Sequence, residues 1–417
     1  MESTLETTRT LAKLDFSKTD SQISQYNFPE SHRPYTDKYF LRTKEILEKE
    51  GLNPYVRAQV FIRNGPGLVL GIEEAIEATK KYCPKLIETG AIYAKHDGEK
   101  YNSSESIMYI DGYVQDFIEL ETLYLGIISA RTTFLNDGVK NVDLQKAEET
   151  MRKIVSLIGD RPVSYFGARH WHYSEDAEIA KAAIRGGATS ASTDIGAESL
   201  GIEGSGTIPH ALENVMALYY GKENAVVEAT LAFDRHIDKK IPRIALIDYN
   251  NKEITDSLAV ANALKDKLYA VRVDTCGENV AEGAIPCLNS KEAVEWKEKG
   301  LYLPDEKDSD LKYWVGHGVT VSGVHNLRKA LDQAGFENVK IILTSGFGNP
   351  EKVKAFCTAE EKLGLKLFDA LGVGGIYHPC RTTTMDLVLA GDTPQSMIPI
   401  SKVGRGYKPN DKLTKIL

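Results

Sequence analysis

From about residue 130 onward, short runs of β-type residues alternate with helical patterns. "LQKAEETMRKIVSLIG" leads into "VSYFGA", and "DAEIAKAAIRGG" leads into "ATSAST". "IPRIALID" is followed by "ITDSLAVANALK", and "LYAVRVD" by a Gly-containing loop and a helix. "VKIILTSG" leads to the helix "PEKVKAFCTAEEKLG" and then to "LFDALGVGG". Parallel strands need long crossovers, so this rhythm predicts a parallel sheet. Six or seven such units over roughly 250 residues favour closure towards a barrel. The first third differs, because its strands ("YVRAQVFIRN", "GAIYAK", "ESIMYIDGYV") are not regularly separated by helices. "FIELETLYLGIISARTTFLNDG" is apolar on several sides and predicts a mostly buried helix. The expected architecture is α/β: an irregular or incomplete TIM-like barrel, with a smaller α+β N-terminal domain completed by the C-terminal tail. The expected boundaries are 1–128 for the N-terminal domain, 129–380 for the barrel and 381–417 for a tail packing back on the first domain. The first thirty-odd residues have the composition of an extended arm.

Charge and cysteine content narrow the function classes. The 417 residues carry a net charge of −8 with no long basic block, so neither nucleic acid nor a membrane is an expected partner. Apolar stretches fall far short of a membrane span. The N-terminus lacks the layout of a signal peptide. Five scattered cysteines with no C-x-x-C pair argue against a zinc module or a disulfide framework. Together these point to a cytoplasmic protein.

Several stretches carry chemistry. In "VKIILTSGFGNP", Asn349 suits an N-cap and Pro350 the first helical position. The free N–H groups of Ser345, Gly346 and the residues after them suit an anion. "ALGVGGIYHP" offers a second such loop at Gly372, Gly374 and Gly375. Two Gly-rich loops after the last two strands of a barrel are a place where phosphate is often held. Either loop alone reads equally well as a tight turn, and neither fits G-x-x-x-x-G-K-[ST] or G-x-G-x-x-G. "RVDTCGEN" puts Arg272 and Asp274 on one face of a strand, as an ordinary ion pair or as a grip on pyrophosphate and Mg²⁺. Asp248 ends the strand in "ALIDYN" and is expected at the site rim. "YFGARHWHYSED" brings together Phe166, Arg169, His170, Trp171 and His172. Its H-x-H lacks a third ligand, whereas an aromatic ring plus an arginine suits a flat anionic ring. Asp194 lies at a strand end, and His210 follows a Gly/Pro loop, where it suits acid–base work or accepting a phosphoryl group.

Taken together, "YTDKY", "FGAR", "GTIPHAL", "RVD" and the two Gly loops, in that order, resemble the nicotinate phosphoribosyltransferase family, of the barrel-type phosphoribosyltransferases. The resemblance runs from "YTDKYFLRT" to "ALGVGGIYHP". It implies transfer of the phosphoribosyl group of phosphoribosyl pyrophosphate to nicotinate, releasing pyrophosphate, with Mg²⁺ bound and ATP as co-substrate. It implies that Tyr39 reaches into a neighbouring subunit's site and stacks on the pyridine ring, making the protein a homodimer or higher oligomer with shared sites. Phe166 would stack on the other face, and Arg169 would meet the ring's carboxylate or the phosphate beside it. His210 would be the phosphorylatable histidine. Arg272 and Asp274 would bind ribose and pyrophosphate with Mg²⁺ near Asp274, and Asp248 would lie close. The backbone at Ser345, Gly346, Gly374 and Gly375 would hold the 5′-phosphate. Asp194 stands near a position that, in nicotinamide-specific members, carries Asp, which keeps nicotinamide open as acceptor. Some relatives end in a cysteine-rich zinc module; no structural zinc is expected here.

Two rivals stand beside this reading. An aldolase or isomerase would share the Gly loops but need a Schiff-base lysine or paired carboxylates at strand ends. A non-catalytic relative would bind phosphoribosyl compounds or nucleotides without turnover.

Overall fold

The computed structural model describes residues 26–417. Most of the expected N-terminal arm, residues 1–25, lies outside the described residues. Two six-stranded sheets organise the rest.

The first sheet is antiparallel. Its centre pairs Tyr55–Ile62 with Ser106–Tyr113 on one side and with Thr383–Gly391 on the other. Ala91–Ala94 extends it, and the short Thr414–Lys415 and Ile398–Pro399 strands form its two edges. A C-terminal strand is therefore a structural neighbour of the first strand of the sheet.

The second sheet is parallel throughout. Its order is Ser190–Ala191, Val163–Tyr165, Ala370–Val373, Lys340–Leu343, Leu268–Val273 and Arg243–Leu246. These strands are short and apolar on both faces, as sheets covered by crossover helices must be. The helices show the complementary stripe: in Leu144–Ile158 the buried residues Ala147, Met151, Ile154 and Ile158 recur at helical spacing. The two edge strands, Ser190–Ala191 and Arg243–Leu246, share no ladder among the described residues, so strand pairing does not make the closure expected from the strand count. Segment 204–208 spans the gap instead. Ser205 N–H donates to Ala191 O at 2.8 Å, and Thr207 Oγ1 donates to Ile244 O at 3.1 Å. Ile208 O accepts from Arg272 Nη2 at 2.8 Å.

The helix Glu121–Asp137 is buried on nearly every side, as its composition predicts. Gly126 passes so close to the 168–171 turn that a β-carbon would lie 2.3 Å from Trp171 O. Three residues further on, Ser129 Oγ donates to Thr383 Oγ1 at 3.1 Å and accepts from Thr383 N–H at 2.9 Å. One helix thus joins the antiparallel sheet to the loops at the end of the parallel one. No helix among the described residues is long and apolar enough to cross a membrane.

Candidate active site

Phe166, Asp274 and Gly374 follow directly on the strands of the parallel sheet, and Ser345 comes one residue later, all at the C-terminal ends. That edge is where open and closed α/β sheets place ligands. They line a cleft of about 640 Å³ together with Tyr39, Arg169, His210, Arg272, Gly346 and Gly375. Its opposite wall comes from the antiparallel layer: Arg63, Glu121, Thr383 to Leu387, Lys402 and Arg405.

His210 opens the helix His210–Tyr220 after Pro209. Its Nε2 lies 2.9 Å from Asp248 Oδ1, and no protein partner engages Nδ1 among the described residues. The side chain is 26% exposed, whereas Asp248 is fully buried. Asp248 is thus not at the rim, as its strand-end position suggested, but beneath the site. Its second oxygen is held by Lys402 Nζ, which also donates to Asp274 O at 3.2 Å. Burial opposes the charge on Asp248, but Lys402 and His210 more than offset it, and its carboxyl titrates well below the usual carboxylate range. Burial and then Lys402 lower the His210 imidazole, against the pull of Asp248, so it is neutral at pH 7. Three residues along the helix, Glu213 is fully buried with neither carboxylate oxygen hydrogen-bonded. Burial, with Asp248 nearby, pushes its carboxyl well above the usual range.

Arg272 and Asp274 are paired at 3.9 Å, and Asp274 Oδ1 accepts from Thr344 Oγ1 at 2.6 Å. One ligand atom each from His210, Asp248 and Asp274 falls within 4.8 Å of the others. Two partners already occupy the oxygens of Asp248, which leaves Asp274 as the carboxylate suited to a hard cation shared with a ligand.

At the other end of the cleft Tyr39 Oη accepts from Arg169 Nη1 at 2.7 Å, and Arg169 lies 3.7 Å from Glu121. Tyr39 therefore sits in the site of its own chain. The helix Lys38–Glu50 is pinned beside the 203–206 segment of the same chain through Lys38 and Arg42. Phe166 is held under the Gly loop: a β-carbon on Gly372 would lie 2.6 Å from its ring. His170 and His172 do not form a metal pair. His170 lines the cleft with Nδ1 unpartnered, while His172 Nε2 meets Glu74 at 3.0 Å.

Asp194 does not join the site. It starts the short helix Asp194–Ala197 rather than ending a strand, and it does not line the cleft. Lys38 Nζ lies 2.9 Å from both its oxygens, and Gly204 N–H donates to Oδ1 at 2.8 Å. Its carboxylate is consumed locally, which removes the reason to read it as an acceptor for an amide.

The two Gly loops abut. A β-carbon on Gly348 would lie 2.0 Å from Gly374 O, and one on Gly374 would lie 2.7 Å from the His170 ring. Ser345 and Gly346 both adopt left-handed backbone, with φ of 67° and 84°. Asn349 caps the following helix Pro350–Leu363 by accepting from Glu351 N–H.

Residues 37–131 match the model of the quinolinate phosphoribosyl transferase N-terminal domain. The chain is 25% identical over 268 residues to nicotinate phosphoribosyltransferases of two Mycobacterium tuberculosis strains, across 58% of this chain and 56% of the relative. It thus spans just over half the length of the curated relatives it matches. The fold is similar to that of nicotinate phosphoribosyltransferase from Porphyromonas gingivalis, with a TM-score of 0.59, 15% identity and 89% and 94% of the two chains covered. The Vibrio cholerae enzyme of the same name gives 0.59 at 13% identity, covering 91% and 90%. In sequence and in fold the chain is similar to nicotinate phosphoribosyltransferases.

Lys402, Arg405, Arg63 and Glu121, which line the cleft, and Glu213, which is buried on the His210 helix, are residues that the sequence did not reveal. Lys402 and Arg405 lie in a loop-rich tail whose basic character was visible, but nothing local says that it returns to the barrel mouth. Glu213 carried a readable signal: an acid three residues after His210, in a helix rich in apolar residues.

Proposed function

We propose that the protein transfers the phosphoribosyl group of phosphoribosyl pyrophosphate to nicotinate, giving nicotinate mononucleotide and pyrophosphate. The observation that carries this reading is that Arg169, hydrogen-bonded to Tyr39 Oη, lines the same cleft as Phe166 and the Ser345 and Gly374 loops. An arginine beside an aromatic side chain suits a flat ring bearing a carboxylate. Asp194, whose presence kept nicotinamide open, is paired with Lys38 outside the cleft.

In this reading the glycosidic bond from C1′ to the pyrophosphate oxygen breaks, and a bond from C1′ to the ring nitrogen forms. Tyr39 and Phe166 hold the ring, and Arg169 takes its carboxylate. The N–H groups at Ser345, Gly346, Gly374 and Gly375 seat the 5′-phosphate. Arg272 faces the departing pyrophosphate, and electrostatic positioning of this kind is the chief aid to an oxocarbenium-like centre. Asp274 would hold Mg²⁺ together with substrate oxygens, and the ion would supply charge neutralisation of the leaving group. His210, neutral and oriented by Asp248 through Nε2, presents Nδ1 as the nitrogen for phosphorylation by ATP. A homodimer or higher homo-oligomer stays part of the proposal on family resemblance.

The test is pyrophosphate release from phosphoribosyl pyrophosphate and Mg²⁺ with nicotinate, nicotinamide or quinolinate, each with and without ATP. Release with nicotinate, raised by ATP and no longer raised in His210→Ala, is expected. Release with nicotinamide alone would overturn the acceptor assignment. Binding without release under any condition would leave a phosphoribosyl-binding protein in place of an enzyme.

A further inference from the structure

Lys352 lies in the first turn of the helix Pro350–Leu363. A cation there opposes the helix dipole, which favours acidic side chains at that end. Its Nζ donates to Ser345 O at 2.9 Å and sits 4.4 Å from the centre of the Phe347 ring. A β-carbon built on Gly346 would lie 3.7 Å from the same nitrogen. The ammonium is therefore packed behind the left-handed 345–346 turn, on the side of the Ser345 carbonyl.

Its ionic surroundings set it apart from the cations that line the cleft. Arg63 pairs with Glu278 at 3.1 Å, Arg169 with Glu121 at 3.7 Å, and Arg272 with Asp274 at 3.9 Å. Arg405 pairs with Asp386 at 3.3 Å, and Lys402 with Asp248. Lys352 has no carboxylate within ion-pair distance among the described residues. Burial pulls its ammonium down to about 8, against the pull of Asp274. A half-buried cation without a counter-ion costs free energy unless an anion arrives. The nearest place shaped for one is the turn it supports.

We propose that Lys352 is a phosphate-positioning residue, whose ammonium fixes the Ser345 carbonyl and supplies the counter-charge for a phosphate group seated on the 345–346 turn. This rests on the reading of that turn as the 5′-phosphate seat. It adds a residue that acts from behind the loop, through Ser345 and through its charge, without lining the cleft itself.

The test uses the full chain and calorimetric binding of phosphoribosyl pyrophosphate with Mg²⁺, and of inorganic phosphate alone. Lys352→Gln keeps a donor for Ser345 O but removes the charge, and Lys352→Arg keeps the charge. Lys352→Arg is expected to bind within about threefold of the unmutated chain, and Lys352→Gln about tenfold more weakly. The same loss should appear in KM, with kcat at saturation changed less than about twofold. Equal affinity in Lys352→Gln would reduce Lys352 to a prop for the loop and overturn the proposal. A variant-free measurement stands beside it: acetylation of Lys352 in the unmutated chain, read by mass spectrometry, should slow about fivefold when phosphate is bound, because a phosphate dianion stabilises the ammonium. An unchanged acetylation rate overturns the proposal as well. If the unmutated chain binds neither phosphoribosyl pyrophosphate nor phosphate, the functional reading falls together with this one. If it turns over normally while Lys352→Gln is unaffected, only this inference falls.

Discussion

Asp248 is a fully buried carboxylate held by one neutral imidazole and one buried ammonium. Such a group is stable only while its partners remain. Lys402→Met should therefore cost about 3–5 kcal/mol in denaturant unfolding, the usual penalty for stranding a buried charge. Asp248→Asn in the Lys402→Met background should recover much of that loss, since the stranded charge is gone. A loss under about 1 kcal/mol, the range of exposed pairs, would mean that Asp248 is not buried as described. His170 gives a pH-dependent counterpart. Burial, then Arg169 and Arg63, lowers its imidazole to about 4. The unfolded chain, with an ordinary histidine near 6.5, then binds the proton more readily than the folded one. Stability from this group is fully present above pH 6.5 and is lost as pH falls from there towards 4, by on the order of 3 kcal/mol. Comparing His170→Gln with the unmutated chain at pH 7 and pH 4.5 isolates the term from the carboxylates that titrate alongside. Parallel stability curves for the two proteins would rule it out.

At the level of elements, the site depends on loops that touch with no room for a side chain. Gly348 has no space for a β-carbon beside Gly374 O. Gly348→Ala must push apart the two loops that flank the proposed phosphate seat. We expect a stability loss of about 1–3 kcal/mol from overpacking and a rise in KM for phosphoribosyl pyrophosphate of at least tenfold. Unchanged KM in a folded Gly348→Ala protein would separate the loops from the phosphate. This is also the scale at which the sequence was most legible. Strand and helix alternation after residue 130 is a local periodicity, and the residues next to strand ends (Phe166, Asp274, Ser345, Gly374) were readable because a parallel sheet puts all such ends on one edge. Asp248 was readable as a strand-end acid but not as a buried one, since burial is decided by what covers it. Asp194 misled because proximity in sequence to a strand does not say that Lys38 and Gly204 will take up its oxygens. Lys352 was in plain sight, a cation in the wrong turn of a helix, yet its meaning needs the distance to Ser345 O.

For the molecule as a whole, the cleft exists because the chain returns on itself. Thr383–Gly391 pairs with Tyr55–Ile62, more than three hundred residues earlier, and the segment after it carries Lys402 to Asp248. Val403 N–H donates to Tyr249 O at 2.9 Å, and Asn279 Nδ2 donates to Val403 O at 2.9 Å, so that segment is stitched to the parallel layer. A tail packing back on the first domain was expected from the sequence, but no local pattern announces that it also reaches Asp248, because that contact forms only when both sheets are present. A ligand held between the layers should then stabilise both at once. With phosphoribosyl pyrophosphate and Mg²⁺ at about 100 times Kd, mass action adds about 2.7 kcal/mol to the folded state. Hydrogen exchange should slow in the loops 344–349 and 372–376 of the parallel layer and, in the same experiment, in 383–387 and 400–405. Protection confined to the parallel layer would show that the C-terminal segment forms a wall beside the ligand without being coupled to it. In that case Lys402→Met should weaken folding while leaving affinity for phosphoribosyl pyrophosphate unchanged. Joint protection would require Lys402→Met to weaken both, since the same contacts would then hold the layers and the ligand.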